Sequence, residues 1–90
     1  MRITIRVFAT LRDDLGWSEK TVDVASAKLI DILDMFPKLK ERIITEDGKV
    51  HEHYRIFVNG VYIDFAGGLE RDMSDGDVIA VFPALAGGFS

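Results

Sequence analysis

The sequence contains no cysteine, only two prolines and no long hydrophobic run. Without a thiol the chain can form no disulfide, no cysteine-ligated zinc site, no thiol nucleophile and no persulfide of its own. No stretch approaches the ~20 apolar residues that a membrane-spanning helix needs. A signal peptide has an uninterrupted apolar segment, whereas charged residues interrupt the first apolar segment here, so the sequence predicts no signal peptide. We therefore expect no membrane segment and a cytoplasmic location.

The chain also lacks an excess of basic residues. Its formal net charge is −4 and its pI is about 5.0, so it has little to attract the phosphates of a nucleic acid. A length of 90 residues, 48% of them hydrophobic, is typical of one folded domain. Positive and negative residues balance over 1–63, so the whole net charge lies in 64–90. That segment is either a solvated acidic loop or a patch that steers a partner.

Hydrophobic periodicity predicts the elements of the first half. Apolar and polar residues alternate over 2–8 and again over 20–24, which indicates two strands paired as a hairpin around a turn region at 11–16. Ser26 is a candidate helix N-cap. A helical stripe then follows and should end at Pro37, which cannot donate a backbone hydrogen bond. The stripe consists of Leu29, Ile32, Leu33 and Phe36.

The second half is predicted to be mainly strands. Residues 54–58 and 61–63 flank Asn59-Gly60, which is typical of a type I′ hairpin turn. Asp75-Gly76-Asp77 forms another turn before a last strand at 78–82. The order β-β-α-β-β-β predicts an α+β fold, the β-grasp or ubiquitin-like arrangement: a mixed sheet with one main helix on one face and the first and last strands parallel in its centre. We expect a domain at 1–83 and a flexible tail at 84–90.

The face of the sheet opposite the helix is a candidate interface. If Ile79 and Val81 point toward the helix, alternation places a second apolar set on the uncovered face. An exposed apolar patch of this kind usually marks a partner surface, although loops or a second copy could also cover it. The predicted surface consists of Phe8, Phe57, Val78, Ala80 and Phe82.

Other motifs favour structural roles. His51-Glu52-His53 has too few further ligands nearby in sequence to predict a metal site, so an exposed loop is the better interpretation. Gly67-Gly68 indicates a tight turn with positive φ. No combination of residues suggests a nucleophile with its base, and we therefore expect neither a bound metal nor an enzyme.

Three segments, taken together, resemble a known family. Val58-Asn59-Gly60, the stretch 75–83 and Gly87-Gly88 are similar in sequence and spacing to the ThiS/MoaD family of ubiquitin-like sulfur carriers. The insert at 65–69 is similar to the longer CysO-like and MoaD-like members. Two features depart from the pattern: Ala84 follows Pro83 where the family often has a second proline, and Phe89-Ser90 follows Gly88.

The resemblance implies a carrier protein that acts as the substrate of other enzymes. An E1-like adenylyltransferase would use ATP to activate the carboxylate of Gly88, and a sulfurtransferase would supply the sulfur for a thiocarboxylate. The acceptor would be the large subunit of molybdopterin synthase or a cysteine synthase, and the carrier itself would bind no cofactor. Pro83, Ala86 and Gly87 would form the arm that threads a narrow active site, since glycine has no Cβ to obstruct it.

Phe89-Ser90 makes the chain a precursor under this interpretation. By resemblance, a JAMM-type zinc metalloprotease would cleave between Gly88 and Phe89 and so release the reactive carboxylate. Two alternatives remain open: a ubiquitin-like modifier that joins Gly88 to lysine through an isopeptide bond, and a β-grasp interaction module with an inert tail.

Overall fold

The structure is a computed structural model that describes residues 1–84. The predicted tail residues Ala86, Gly87, Gly88 and Phe89 lie outside the described residues. Two 3₁₀ turns, Ile63–Phe65 and Gly68–Glu70, lie between the last two strands. The strands and helices, in chain order, are β1 (Arg2–Val7), α1 (Ala9–Leu15), β2 (Glu19–Asp23), α2 (Leu29–Asp34), α3 (Pro37–Ile43), β3 (Tyr54–Val58), β4 (Val61–Tyr62) and β5 (Val78–Pro83).

The five strands form one mixed sheet in the order β2-β1-β5-β3-β4. β1 and β5 are parallel neighbours in its centre, with Ile5 opposite Ile79, while the other pairs are antiparallel. Parallel neighbours need a long connection, and the helices between β2 and β3 supply part of it. The predicted α+β, ubiquitin-like β-grasp fold is confirmed.

The hydrophobic core lies between one face of the sheet and the helices. Alternate residues of the central strands point into it, and so does the predicted helical stripe. As predicted, Pro37 interrupts that helix: α2 ends at Asp34, and Pro37 opens α3, where its missing N–H costs nothing. The fully buried side chains are Ile3, Ile5, Val7, Leu11, Leu29, Ile32, Leu33, Leu39, Ile43, Ile56, Val58, Ile79 and Val81.

Two local predictions were wrong. The turn region expected at 11–16 is most of helix α1, which ends at Gly16 in the left-handed conformation (φ 80°). Only Leu11 of this helix is buried, so its hydrophobic pattern is too sparse to reveal it. Ser26 is not an N-cap, because Lys28 pairs with Asp72 in a β-bridge and keeps the chain extended up to α2.

The predicted turns are confirmed. Asn59 and Gly60 both have positive φ, 52° and 81°, as a type I′ turn requires. Gly67 and Gly68 also have positive φ. Over residues 1–84, every helix is too short or too polar to cross a bilayer.

Candidate functional site

Five aromatic rings form a continuous row across the open face of the sheet. Phe8 stacks on Phe82 with 4.3 Å between ring centroids, and Phe57 meets Phe82 edge-on at 5.6 Å. The row continues through Tyr62, 5.6 Å from Phe57, to Phe65, 6.2 Å from Tyr62. We call these five residues the aromatic band. Edge-on contacts such as those of Phe57 with Phe82 and of Tyr62 with Phe65 are among the arrangements that aromatic rings prefer.

The structure brings the predicted partner surface together. Phe8, Phe57, Val78 and Ala80 are half-buried on the face away from the helices, and Phe82 is 37% exposed. Apolar side chains are therefore in contact with water over the centre of the sheet. Pattern reasoning missed Tyr62 and Phe65, because β4 has only two residues and alternation cannot be followed beyond it.

The tail leaves the sheet beside the aromatic band. Pro83 ends β5 opposite Tyr54, one residue after Phe82. The Ala84 N–H then donates a hydrogen bond to the His53 carbonyl, at 2.6 Å, which fixes the first residue of the arm. The last described residues of the chain, Pro83 and Ala84, therefore lie next to this band.

Charged side chains border the band. Arg55 lies opposite Phe82, and its Nη1 donates to the carbonyls of Glu52 and Tyr54 at 2.8 and 3.0 Å. On the other flank Arg6 pairs with Glu19 at 2.8 Å. Aromatic rings with a polar rim are typical of protein–protein interfaces.

Asp77 holds together the β3–β4 turn and the turn before β5, at the end of the sheet opposite Pro83. The carboxylate, 6% exposed, accepts hydrogen bonds from the Asn59 side-chain amide and the Ser74 N–H, both at 2.8 Å. Arg71 Nη2 lies 3.5 Å from it. Burial by itself raises the pKa of this carboxyl, but the hydrogen bonds and the guanidinium outweigh burial and hold the pKa below its usual value.

The acidic segment is therefore not uniformly solvated. Asp64 and Glu70 are exposed, whereas Asp77 is a buried structural residue that sequence reasoning assigned only to a turn. Its burial depends on Arg71 and Asn59, whose proximity the sequence alone does not show.

No group of three or more potential metal ligands occurs within residues 1–84. His53 is exposed and His51 partly so, and the His53 N–H donates to His51 Nδ1 at 3.1 Å. The loop interpretation of this motif agrees with that geometry.

Comparison with known proteins identifies the family. The sulfur carrier protein CysO of Mycobacterium tuberculosis is 32% identical over 94 residues, covering 98% of this chain and 100% of that protein. A solved structure of SAMP1, a small archaeal modifier protein from Haloferax volcanii, superposes with a TM-score of 0.79 at 29% identity, over 98% of this chain and 100% of that one.

A chain of the Amycolatopsis orientalis BexX/CysO complex superposes with a TM-score of 0.75 at 32% identity, over 96% of this chain and 99% of that one. The model of the ThiS family matches residues 5–88. These relatives are small proteins of the carrier or modifier type, and this chain agrees with them in sequence and fold. The chain belongs to the ThiS family of ubiquitin-like proteins.

Proposed function

We propose that this chain is a sulfur carrier whose reactive group is the carboxyl of Gly88. An E1-like adenylyltransferase joins that carboxylate to AMP at the expense of ATP and releases pyrophosphate. Sulfide sulfur then displaces AMP and leaves a thiocarboxylate. The carrier has no cysteine on which to hold a persulfide, so a sulfurtransferase supplies the sulfur: thiols reduce the persulfide on that enzyme, release sulfide and are themselves oxidised to a disulfide. The carrier supplies no catalytic residue.

The observation that carries the proposal is the position of the aromatic band at the base of the tail. A partner that covers Phe8, Phe82 and Phe57 also receives the arm that follows Pro83. Residues 84–88 can span at most about 18 Å when fully extended. The partner's active site therefore lies within that distance of the band, and docking supplies much of the positioning that the reaction needs.

Gly87 and Gly88 suit the end of such an arm. Neither carries a Cβ, so both can pass a channel too narrow for other residues. Phe89 follows Gly88 and holds its carbonyl in a peptide bond. Hydrolysis of that bond adds water, frees the Gly88 carboxylate and removes Phe89-Ser90. A JAMM-type metalloprotease is the partner proposed for this step.

The thiocarboxylate then passes its sulfur to an acceptor in molybdopterin or cysteine biosynthesis. The similarity to CysO, named a sulfur carrier protein, supports the carrier role. The acceptors proposed are the large subunit of molybdopterin synthase and a cysteine synthase. Incubating the thiocarboxylated carrier with each acceptor and measuring return of the carboxylate by mass spectrometry separates them.

The decisive experiment compares the 90-residue chain with one that ends at Gly88. Each is incubated with the adenylyltransferase, ATP and sulfide, and both AMP release and intact mass are measured. Only the shortened chain should release AMP and gain the mass of one oxygen replaced by sulfur. Equal activity of both chains would contradict the processing step, and no activity of either would contradict the carrier function.

Modification of proteins is the second candidate, and the similarity to SAMP1 favours it. In that case adenylated Gly88 reacts with a lysine amine of another protein, and AMP leaves as the isopeptide bond forms. Tryptic digests of the host cell distinguish the two functions, because only a modifier leaves its C-terminal residues attached to lysines. Absence of both the thiocarboxylate and the conjugates would favour an inert β-grasp module.

A further inference from the structure

Phe65, at the outer end of the aromatic band, is far more exposed than the other rings. Its exposed fraction is 84%, against 37% for Phe82, and it touches the band only through Tyr62. A phenylalanine this exposed buries little apolar surface, so its replacement with a polar residue should leave the stability of the fold unchanged. Its neighbour Ile63, by contrast, is 2% exposed.

The loop that carries Phe65 is firmly built. The Ala66 N–H donates to the Ile63 carbonyl at 2.9 Å, and Arg71 Nη1 donates to the Ala66 carbonyl at 3.3 Å. A Cβ on Gly67 would lie 3.1 Å from the Arg71 Cβ, so this close approach favours glycine there. The same Arg71 reaches buried Asp77. Phe65 is thus held out from the sheet by a fixed loop.

The loop is fixed to the helices as well. The Leu29 N–H donates to the Arg71 carbonyl at 2.9 Å, and the Met73 N–H donates to the Ala27 carbonyl at 3.0 Å. The backbone at Phe65 is therefore already ordered, so a partner that covers the ring need not order the loop first, and binding costs less entropy.

The charges around Phe65 define the partner's chemistry. Asp64 and Glu70 are exposed and their carboxylates make no ion pair within residues 1–84. A partner pocket that accepts the ring would therefore bind best if lysine or arginine lined its rim, both for these carboxylates and for the face of the ring.

We propose that Phe65 anchors this protein in an apolar, basic-rimmed pocket on the adenylyltransferase that activates Gly88. This inference rests on the proposed function and extends the docking surface beyond the centre of the sheet. The Phe65 ring lies 6.2 Å from the Tyr62 ring, and Tyr62 contacts Phe57, which contacts Phe82. One continuous surface of the partner would therefore cover these rings, with the pocket for Phe65 at its edge.

Binding of the full chain to the purified adenylyltransferase tests the proposal by calorimetry. Phe65→Ser should raise Kd by about tenfold or more, as loss of an anchoring aromatic residue does. Met35→Ser is the matched control: Met35 is 48% exposed at the end of α2, on the helix side of the sheet. It should leave Kd unchanged, and both variants should melt like the wild type.

A charge reversal tests the basic rim separately. Asp64→Lys should weaken binding, and the loss should diminish at high salt because exposed charges are screened there. Glu46→Lys changes the net charge equally at an exposed position in the loop before β3 and should have no effect.

A Kd of Phe65→Ser equal to that of wild type would overturn the proposal while leaving the carrier function intact. Loss of binding to the acceptor enzyme, with binding to the adenylyltransferase unchanged, would also overturn it and assign Phe65 to the acceptor. Failure of the wild-type chain to bind the adenylyltransferase would overturn it too. The carrier function is judged independently, by thiocarboxylate formation on the chain that ends at Gly88.

Discussion

At the scale of single residues, Asp77 connects the hairpin turn to the segment before β5. Its two carboxylate oxygens accept from Asn59 and Ser74, and asparagine would place an N–H₂ group against one of these donors. We predict that Asp77→Asn lowers the free energy of unfolding by about 2 kcal/mol. A loss of that size lowers Tm by about 10 °C in a domain of this length.

Thermal melts at neutral pH check this value, with Asp72→Asn as the control. Asp72 lies five residues earlier, and its side chain is 91% exposed. Its replacement should change Tm by less than about 2 °C, since surface substitutions rarely exceed about 0.5 kcal/mol. An equal decrease in Tm for both variants would contradict the stabilising role of the Asp77 hydrogen bonds.

Asp77 also gives the stability a dependence on pH. Its folded-state pKa lies below the value of about 3.9 that it has in an unfolded chain. The stabilisation is therefore complete above about pH 4 and is lost as the pH falls through the folded-state pKa. The difference in Tm between wild type and Asp77→Asn should shrink in acid, and a constant difference would contradict this account.

Within the aromatic band, replacement of Phe82 best distinguishes an effect on partner binding from an effect on folding. It is 37% exposed and points away from the core, so Phe82→Asp should leave the far-UV spectrum and most of the stability intact. Binding to the adenylyltransferase should weaken by about tenfold or more, because the interface would bury an unpaired charge. An unfolded variant would show that Phe82 belongs to the core.

At the scale of elements, the β3–β4 hairpin depends on its turn. Gly60 has φ 81° with no atom near an added Cβ, so only backbone strain opposes substitution. We predict that Gly60→Val lowers stability by about 1–2 kcal/mol, because β-branched residues resist positive φ. Gly60→Asn should cost less, since asparagine adopts that conformation more readily. Equal melting temperatures for all three proteins would contradict the turn assignment.

The same elements show which patterns a sequence makes visible. Asn59-Gly60 and the alternation in β1 and β5 depend on neighbours along the chain, so they predicted the hairpin and the open face. Helix α1 was missed because it buries little more than Leu11. The start of α2 was missed because Lys28 pairs with Asp72, a residue far away in sequence.

At the scale of the whole molecule, the order of elements and the turn residues sufficed to predict the mixed sheet with β1 beside β5. The partner surface was only partly predictable. Phe8, Phe57 and Phe82 follow from period two, whereas Phe65 reaches the band through a loop built by Gly67, Arg71 and Asp77. Residues brought together by such long-range contacts leave no local pattern in the sequence.

The parallel pairing of β1 and β5 also determines how the molecule responds to force. Met1 and Pro83 lie at opposite ends of this central pair. A pull between them loads the backbone hydrogen bonds of the two strands sideways, so that many must break together. Met1 and Val24, in contrast, lie at one end of the β1–β2 hairpin, joined by a 2.6 Å hydrogen bond, and a pull between them opens that hairpin one bond at a time.

Single-molecule pulling can compare these two directions, and the absence of native cysteine lets engineered thiols serve as unique handles. Unfolding with handles at Met1→Cys and Ala84→Cys should need a higher force than with handles at Met1→Cys and Ala25→Cys. Equal forces would contradict the argument. An unfolding motor that grips the tail, with the resisting force at the start of β1, would thus pull the sheet in the more resistant of these two directions. The tail proposed to deliver the reactive group would therefore also be a poor handle for unfolding the domain.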